Sequence, residues 1–172
     1  MLNAFISLLK TSKTLLGIFL TLIFITAFLN NPSQKALLVF LLSLISTVVF
    51  DLLFVRLRNV KQFFPSAALA TGSIIGLLTS PNLSWYVPVA IGIIAMFSKN
   101  FITFSNRHIF NPANLGILLV FLIFKAPNSW WMSSPLYLVL IFGAFILWRL
   151  RRFDLGISFL AAYYVLHAFL PS

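Results

Sequence analysis

Seven apolar runs, near residues 14–30, 36–55, 65–80, 85–104, 112–126, 134–148 and 154–170, follow one another with only short polar or proline-containing breaks between them. The chain is 61% hydrophobic and 8% charged, whereas a soluble domain carries roughly 25% charged residues. A run of this kind crosses a hydrocarbon core when it reaches about 20 residues. The pattern therefore predicts an all-α, polytopic helical membrane protein with about seven transmembrane helices. The third and fifth runs are short for a full span, which predicts tilted, broken or re-entrant segments where backbone lines a protein-buried cavity. No loop is long enough for a soluble domain, so residues 1–172 are read as one integral membrane domain.

The basic residues set an orientation. With the N-terminus inside, the inner segments hold Lys10, Lys13, Arg56, Arg58, Lys61, Lys99, Arg107, Arg149, Arg151 and Arg152, and the outer loops only Lys35 and Lys125. That bias matches the positive-inside rule at every loop and predicts an outer C-terminus. Trp85, Tyr86, Trp130 and Trp131 then fall at the outer boundary. The net charge of +10 is thus an orientation signal and not a nucleic-acid footprint. The first run ends in Ala27-Phe28-Leu29-Asn30-Asn31-Pro32 without a small-x-small cleavage pattern, so it is expected to be retained. The chain has no cysteine, and His108 and His167 fall on opposite sides, so no metal site is expected.

Polar side chains are scarce, so their clusters direct the search for a site. The richest is Arg107-His108-Ile109-Phe110-Asn111-Pro112-Ala113-Asn114-Leu115-Gly116, which leads into an apolar run. Asn111-Pro112 reads as a helix start, with asparagine as cap and proline in the first turn. With Asn100, Asn106, Arg107, His108 and Asn114 nearby, the same helix end suits an anion or an electron-rich heteroaromatic ring.

Asp51 is the acidic residue inside an apolar run. Such a carboxylate must face protein, water or a cation. Arg56 or Arg58 could reach it by snorkelling as a helix-end ion pair, and the alternative is a role in ion coupling. Asp154, after Arg151 and Arg152, reads as a loop or cap residue. Ala68, Gly72 and Gly76 repeat every four residues and favour close helix packing. Ser66, Thr71 and Ser73 in the same run could wall a cavity. His167 is read as a packed or interfacial residue. No Ser/His/Asp triad, P-loop or metalloprotease motif occurs.

Taken together, the features from Ser66 to Leu119 resemble one family, RnfD/NqrB, whose members are membrane subunits of the Rnf electron-transport complex and of the sodium-pumping NADH:quinone oxidoreductase. Ser66-Ala67-Ala68-Leu69-Ala70-Thr71-Gly72 resembles the family's S-A-x-x-T-G helix start. Leu77-Leu78-Thr79-Ser80-Pro81 followed by Trp85 is similar to its outer turn. Ser98-Lys99 and Ile109-Phe110-Asn111-Pro112-Ala113 resemble its G-K…N-x-F-N-P-A element. Asp51 lies where the family tends to place a membrane acid, and Trp148-Arg149-Leu150-Arg151-Arg152 resembles a later basic segment.

The resemblance implies a subunit of an ion-coupled, flavin-dependent electron-transport complex in the cytoplasmic (inner) membrane, partnered by other membrane subunits and the lipid bilayer. It implies a non-covalent flavin, riboflavin or FMN, near the inner side. The implied contacts are Asn111, His108, Arg107, Pro112, Asn106 and Thr71, with Asp51 the ion-coupling candidate. The family's covalent FMN threonine has no counterpart, because residues 126–134 contain no threonine, so covalent FMN is not expected. Phe104, Ser105 and Asn106 replace the glycines ahead of the N-P-A element, and Phe64-Pro65 replaces an acidic residue ahead of Ser66. The alternatives are a small-solute transporter or channel with a urea-channel-like fold, using Asp51 and the third-run hydroxyls, and a non-catalytic scaffold.

Overall fold

A computed structural model describes residues 12–60, 64–104, 107–125 and 136–169. Seven helices appear among them: α1 (Ser12–Asn30), α2 (Gln34–Leu57), α3 (Ser66–Leu78), α4 (Tyr86–Phe101), α5 (Pro112–Phe124), α6 (Leu136–Leu150) and α7 (Phe153–Phe169). Each coincides with one apolar run, and the fold is all-α as the sequence predicts. The departure is at the end of the fourth run. Helix α4 stops at Phe101, and Thr103–Phe104 (β1) pairs antiparallel with Arg107–His108 (β2) in a small hairpin.

The helix ends follow local chemistry. Ser33 caps α2, its Oγ accepting from the amide of Ala36 at 3.3 Å. The helix closes with Asn59 in the left-handed region, φ 54°, a conformation that asparagine tolerates. Helix α3 follows Pro65 and ends at an extended Thr79 before Ser80-Pro81. Helices α3 and α5 have 13 residues each, about 20 Å, and are shorter than a typical hydrocarbon core of about 30 Å. Helices α1 and α2, with 19 and 24 residues, contain windows of mean hydropathy 1.8 and 2.6 and are long and apolar enough to cross a membrane.

The described residues fall into two compact units, within Met1–Pro135 and Leu136–Ser172. In the first, α2 packs against both α3 and α4, α1 against α3, and α4 against α5. Small residues allow the approach. A Cβ added to Gly72 would meet Thr47 Oγ1 and lie 2.9 Å from both Leu44 Cα and Ser43 O; one on Gly76 would lie 2.9 Å from Phe40 Cα. Gly92 stands against Ser46, and a Cβ at Gly116 would be 2.7 Å from Ile91 O. The four-residue repeat of Ala68, Gly72 and Gly76 is therefore a packing stripe. Ala68, Ile75, Val87, Ile91, Ala95, Met96, Ala113, Ile117 and Val120 form the apolar core. Phe24 stacks on Phe40 with ring centroids 3.8 Å apart, tying α1 to α2.

The outer faces are equally apolar. Leu118, Phe121, Leu122 and Ile123 on α5 are exposed, as are Ile157, Phe159, Leu160 and Val165 on α7 in the second unit. Water does not tolerate contiguous surfaces of this kind, whereas hydrocarbon does. This is the surface of a helical membrane protein.

Candidate functional site

One of the chain's two acidic residues, Asp51, is completely buried, with 0% exposure. It lies on α2, six residues before Leu57 and thus about 9 Å from the helix end. Its carboxylate is held from α4. Lys99 Nζ donates to Asp51 Oδ1 at 2.7 Å and to Oδ2 at 2.8 Å. Asn100 Nδ2 donates to Oδ1 at 3.0 Å and to Met96 O at 3.0 Å, so its amide is fixed by its own helix. Lys99 and Asn100 are neighbours in the last turn of α4, where the helix dipole favours a cation.

The expected pairing of Asp51 with Arg56 or Arg58 is therefore corrected. Both arginines lie exposed, and the carboxylate turns towards α4 instead. Five residues rotate Arg56 roughly 140° away from Asp51, and seven place Arg58 about 10 Å further along the axis. Asn100, counted in the sequence among the amides around Asn111, likewise belongs to this ion pair. The missed partner, Lys99, is one of several cations near inner ends of apolar runs, so only the packing of α2 on α4 selects it.

The asymmetry of the pair matters. Asp51 and Asn100 are buried, with Asn100 5% exposed, while the Lys99 side chain keeps 17% of its surface accessible. A buried carboxylate is costly without a counter-charge. Here the counter-charge sits at the end of a four-carbon stem that is only partly buried. The arrangement is a fully buried acid paired with a partly accessible cation.

Several described hydroxyls around the α2–α3–α4 contact bond back within their own helices, while Ser98 Oγ and Thr79 Oγ1 are buried without a hydrogen-bond partner. Ser43 donates to Val39 O at 2.8 Å, Thr47 to Ser43 O at 2.9 Å, and Ser46 to Ser43 O at 3.1 Å, all within α2. Thr71 is buried and donates to Ala67 O at 2.8 Å. Ser66 and Ser73 do line a cavity, about 460 Å3 in volume, but its other walls include Ile18, Leu22, Leu44 and Leu69. Ser73 also bonds back to Leu69 O at 3.0 Å.

At the start of α5, Asn111 is an N-cap. Its Oδ1 accepts from the amides of Ala113 at 3.1 Å and Asn114 at 3.4 Å, and Pro112 occupies the first turn, buried. His108 is exposed in the hairpin, opposite Thr103. The backbone of Arg107 pairs with Phe104, and Asn106 lies outside the described residues. Of the six residues expected to gather around a cofactor, Arg107, His108, Asn111 and Pro112 share this loop and helix start, whereas Thr71 is held within α3. The described residues contain no group of three His, Cys, Asp or Glu side chains able to hold a metal.

Comparison with known proteins accords with the sequence motifs. A curated relative from Tolumonas auensis (strain DSM 9187 / NBRC 110442 / TA 4), a subunit of an ion-translocating oxidoreductase complex, is 28% identical over 96 residues. The alignment covers 54% of this chain and 28% of that protein, so less than a third of the relative's length is matched. No solved structure matches the chain. The model of the NQR2, RnfD, RnfE family matches residues 6–170, a span that takes in all seven described helices and the Asp51–Lys99 pair; the chain belongs to that family.

Proposed function

We propose that this protein is a multi-pass subunit of an ion-translocating electron-transport complex in the cytoplasmic membrane, and that Asp51, Lys99 and Asn100 are its charge-handling centre. Family membership and the relative's designation support the first part. The observation that carries the second is the fully buried carboxylate clasped by a partly accessible ammonium at the α2–α4 contact. An ionisable pair buried at that position carries a desolvation cost, and membrane-embedded acids commonly mark ion or proton paths. Displacement of Lys99 towards solvent would free the carboxylate to take a mobile cation or proton; its return would release that charge. Other subunits of the complex would supply the electrons.

A non-covalent flavin at the start of α5 is a separate reading. Asn111 Oδ1 already caps the amides of Ala113 and Asn114, so the helix end is closed from within. A flavin there would rely on the His108 ring, the Asn111 amide nitrogen and Arg107, and the proposed function does not depend on it. The solute-channel reading has no support from the comparisons.

The test is purification of the tagged chain from its native membrane. The expected result is a complex containing redox-active subunits, whose donor oxidation drives cation uptake into vesicles. Asp51→Asn should leave assembly intact and abolish uptake. A chain that purifies alone, or a complex whose uptake survives Asp51→Asn, would refute the corresponding part of the proposal.

A further inference from the structure

The turn between α6 and α7 reads Trp148-Arg149-Leu150-Arg151-Arg152-Phe153-Asp154, three arginines against one aspartate. The backbone closes α6 with two reversed hydrogen bonds: the amide of Arg152 donates to Leu147 O and that of Arg151 to Trp148 O, each at 3.1 Å. Arg151 sits in the left-handed region at φ 53°. This is the Schellman pattern, whose left-handed position favours glycine because a Cβ there meets the backbone. The sequence places a cation where the backbone favours glycine.

Around it lies an open hollow of about 700 Å3, lined by Trp148, Arg149, Arg151, Phe153 and Asp154. Trp148 is 64% exposed. Arg152 Nε lies 3.7 Å from Asp154 Oδ1, with both side chains more than half exposed. On either side the helices expose apolar groups, including Phe145 and Leu150 on α6 and Phe153 and Ile157 on α7. A basic mouth, an interfacial tryptophan and flanking apolar helix faces reproduce the polarity profile of a phospholipid from phosphate to acyl chain.

We infer that this turn is a headgroup site for an anionic glycerophospholipid. Arg149 and Arg151 meet the phosphodiester, whose oxygens suit the planar donor fork of a guanidinium. Trp148 lies at the glycerol level, and the acyl chains follow α6 and α7. A role in orientation alone would be served by any basic residue near the turn, in any backbone conformation. Lys125 at the end of α5 is also left-handed, so what distinguishes this turn is the hollow that Arg149 and Arg151 line beside the exposed Trp148. The inference rests on membrane embedding and is independent of the electron-transport reading.

The test is native mass spectrometry of the full chain in neutral detergent, titrated with phosphatidylglycerol or phosphatidylcholine, with inorganic phosphate as competitor. Phosphatidylglycerol should bind at least about tenfold more tightly than phosphatidylcholine, and Arg149→Gln and Arg151→Gln should each weaken it about fivefold, corresponding to about 1 kcal/mol per basic residue near the surface. Arg151→Lys, which keeps the charge and loses the planar fork, should bind between the unaltered protein and Arg151→Gln. Arg151→Gly should raise the melting temperature in lipid-free detergent and lower phosphatidylglycerol affinity about fivefold, a divergence that damaged folding cannot produce. Equal binding of the two lipids, unchanged affinity in the glutamine and glycine variants, or displacement of phosphatidylglycerol by equimolar phosphate would overturn the inference.

Discussion

Replacing Lys99 with methionine should destabilise the protein more than neutralising its partner. Lys99→Met leaves a carboxylate at 0% exposure without its ammonium partner, while Asn100 Nδ2 at 3.0 Å is retained. At the effective dielectric that suits protein sites, opposite charges about 4 Å apart attract by about 4 kcal/mol, and stripping one partner from a buried pair typically costs about 3–5 kcal/mol. Because Lys99 keeps 17% accessibility, the lower end applies, about 3 kcal/mol. Asp51→Asn keeps the shape of the site and leaves an ammonium that can extend to solvent, so it should cost only about 1–2 kcal/mol. The double variant Asp51→Asn/Lys99→Met removes both charges and should cost little more than Asp51→Asn alone. The resulting coupling energy is about 2–3 kcal/mol, measurable by denaturation of the four proteins in one detergent as a double-mutant cycle. Additive effects within about 0.5 kcal/mol, or a larger loss for Asp51→Asn than for Lys99→Met, would refute the reasoning.

The close helix contacts and the α5 cap yield further outcomes. Gly72→Ala pushes a methyl against Thr47 and into the α2 backbone 2.9 Å away, and should cost at least about 1–3 kcal/mol by thermal denaturation. Gly143→Ala on α6, with nothing within 4 Å, should instead stabilise by about 0.5–1 kcal/mol in the same assay. Asn111→Ala should lose about 1 kcal/mol through the missing cap, whereas Asn111→Asp, which keeps the acceptor, should be near neutral. If the purified protein carries flavin absorbance, loss of colour in Asn111→Asp at unchanged stability would identify a cofactor contact beyond the cap.

The helices were legible because each apolar run is bounded by residues that stop helices or begin them. Ser33, Pro65, the Ser80-Pro81 pair and Asn111-Pro112 mark ends found within one or two residues of the expected places. The Ala68–Gly72–Gly76 spacing correctly announced packing, since a small-residue stripe shows itself on one helix alone. The partner of Asp51 was not legible in the same way. Charge spacing along α2 favoured Arg56 and Arg58, but which face of α2 is buried depends on the arrangement of α3 and α4, information spread over three helices. The same limit applies to Asn100. It was grouped with Asn111 by proximity in sequence, whereas its hydrogen bond to Met96 O turns it back along α4 towards Asp51. The hairpin at Thr103–His108 was hidden because apolar composition continues past the point where hydrogen bonding changes.

The central claim, that a buried acid and its partly accessible cation handle charge in an electron-transport complex, is tested most directly by cation uptake. Sealed vesicles bearing the native complex should take up a cation when the electron donor is supplied. In vesicles bearing Asp51→Asn, donor oxidation should continue while uptake falls to background. Uptake equal to that of the unaltered protein, at matched donor oxidation, would contradict the account.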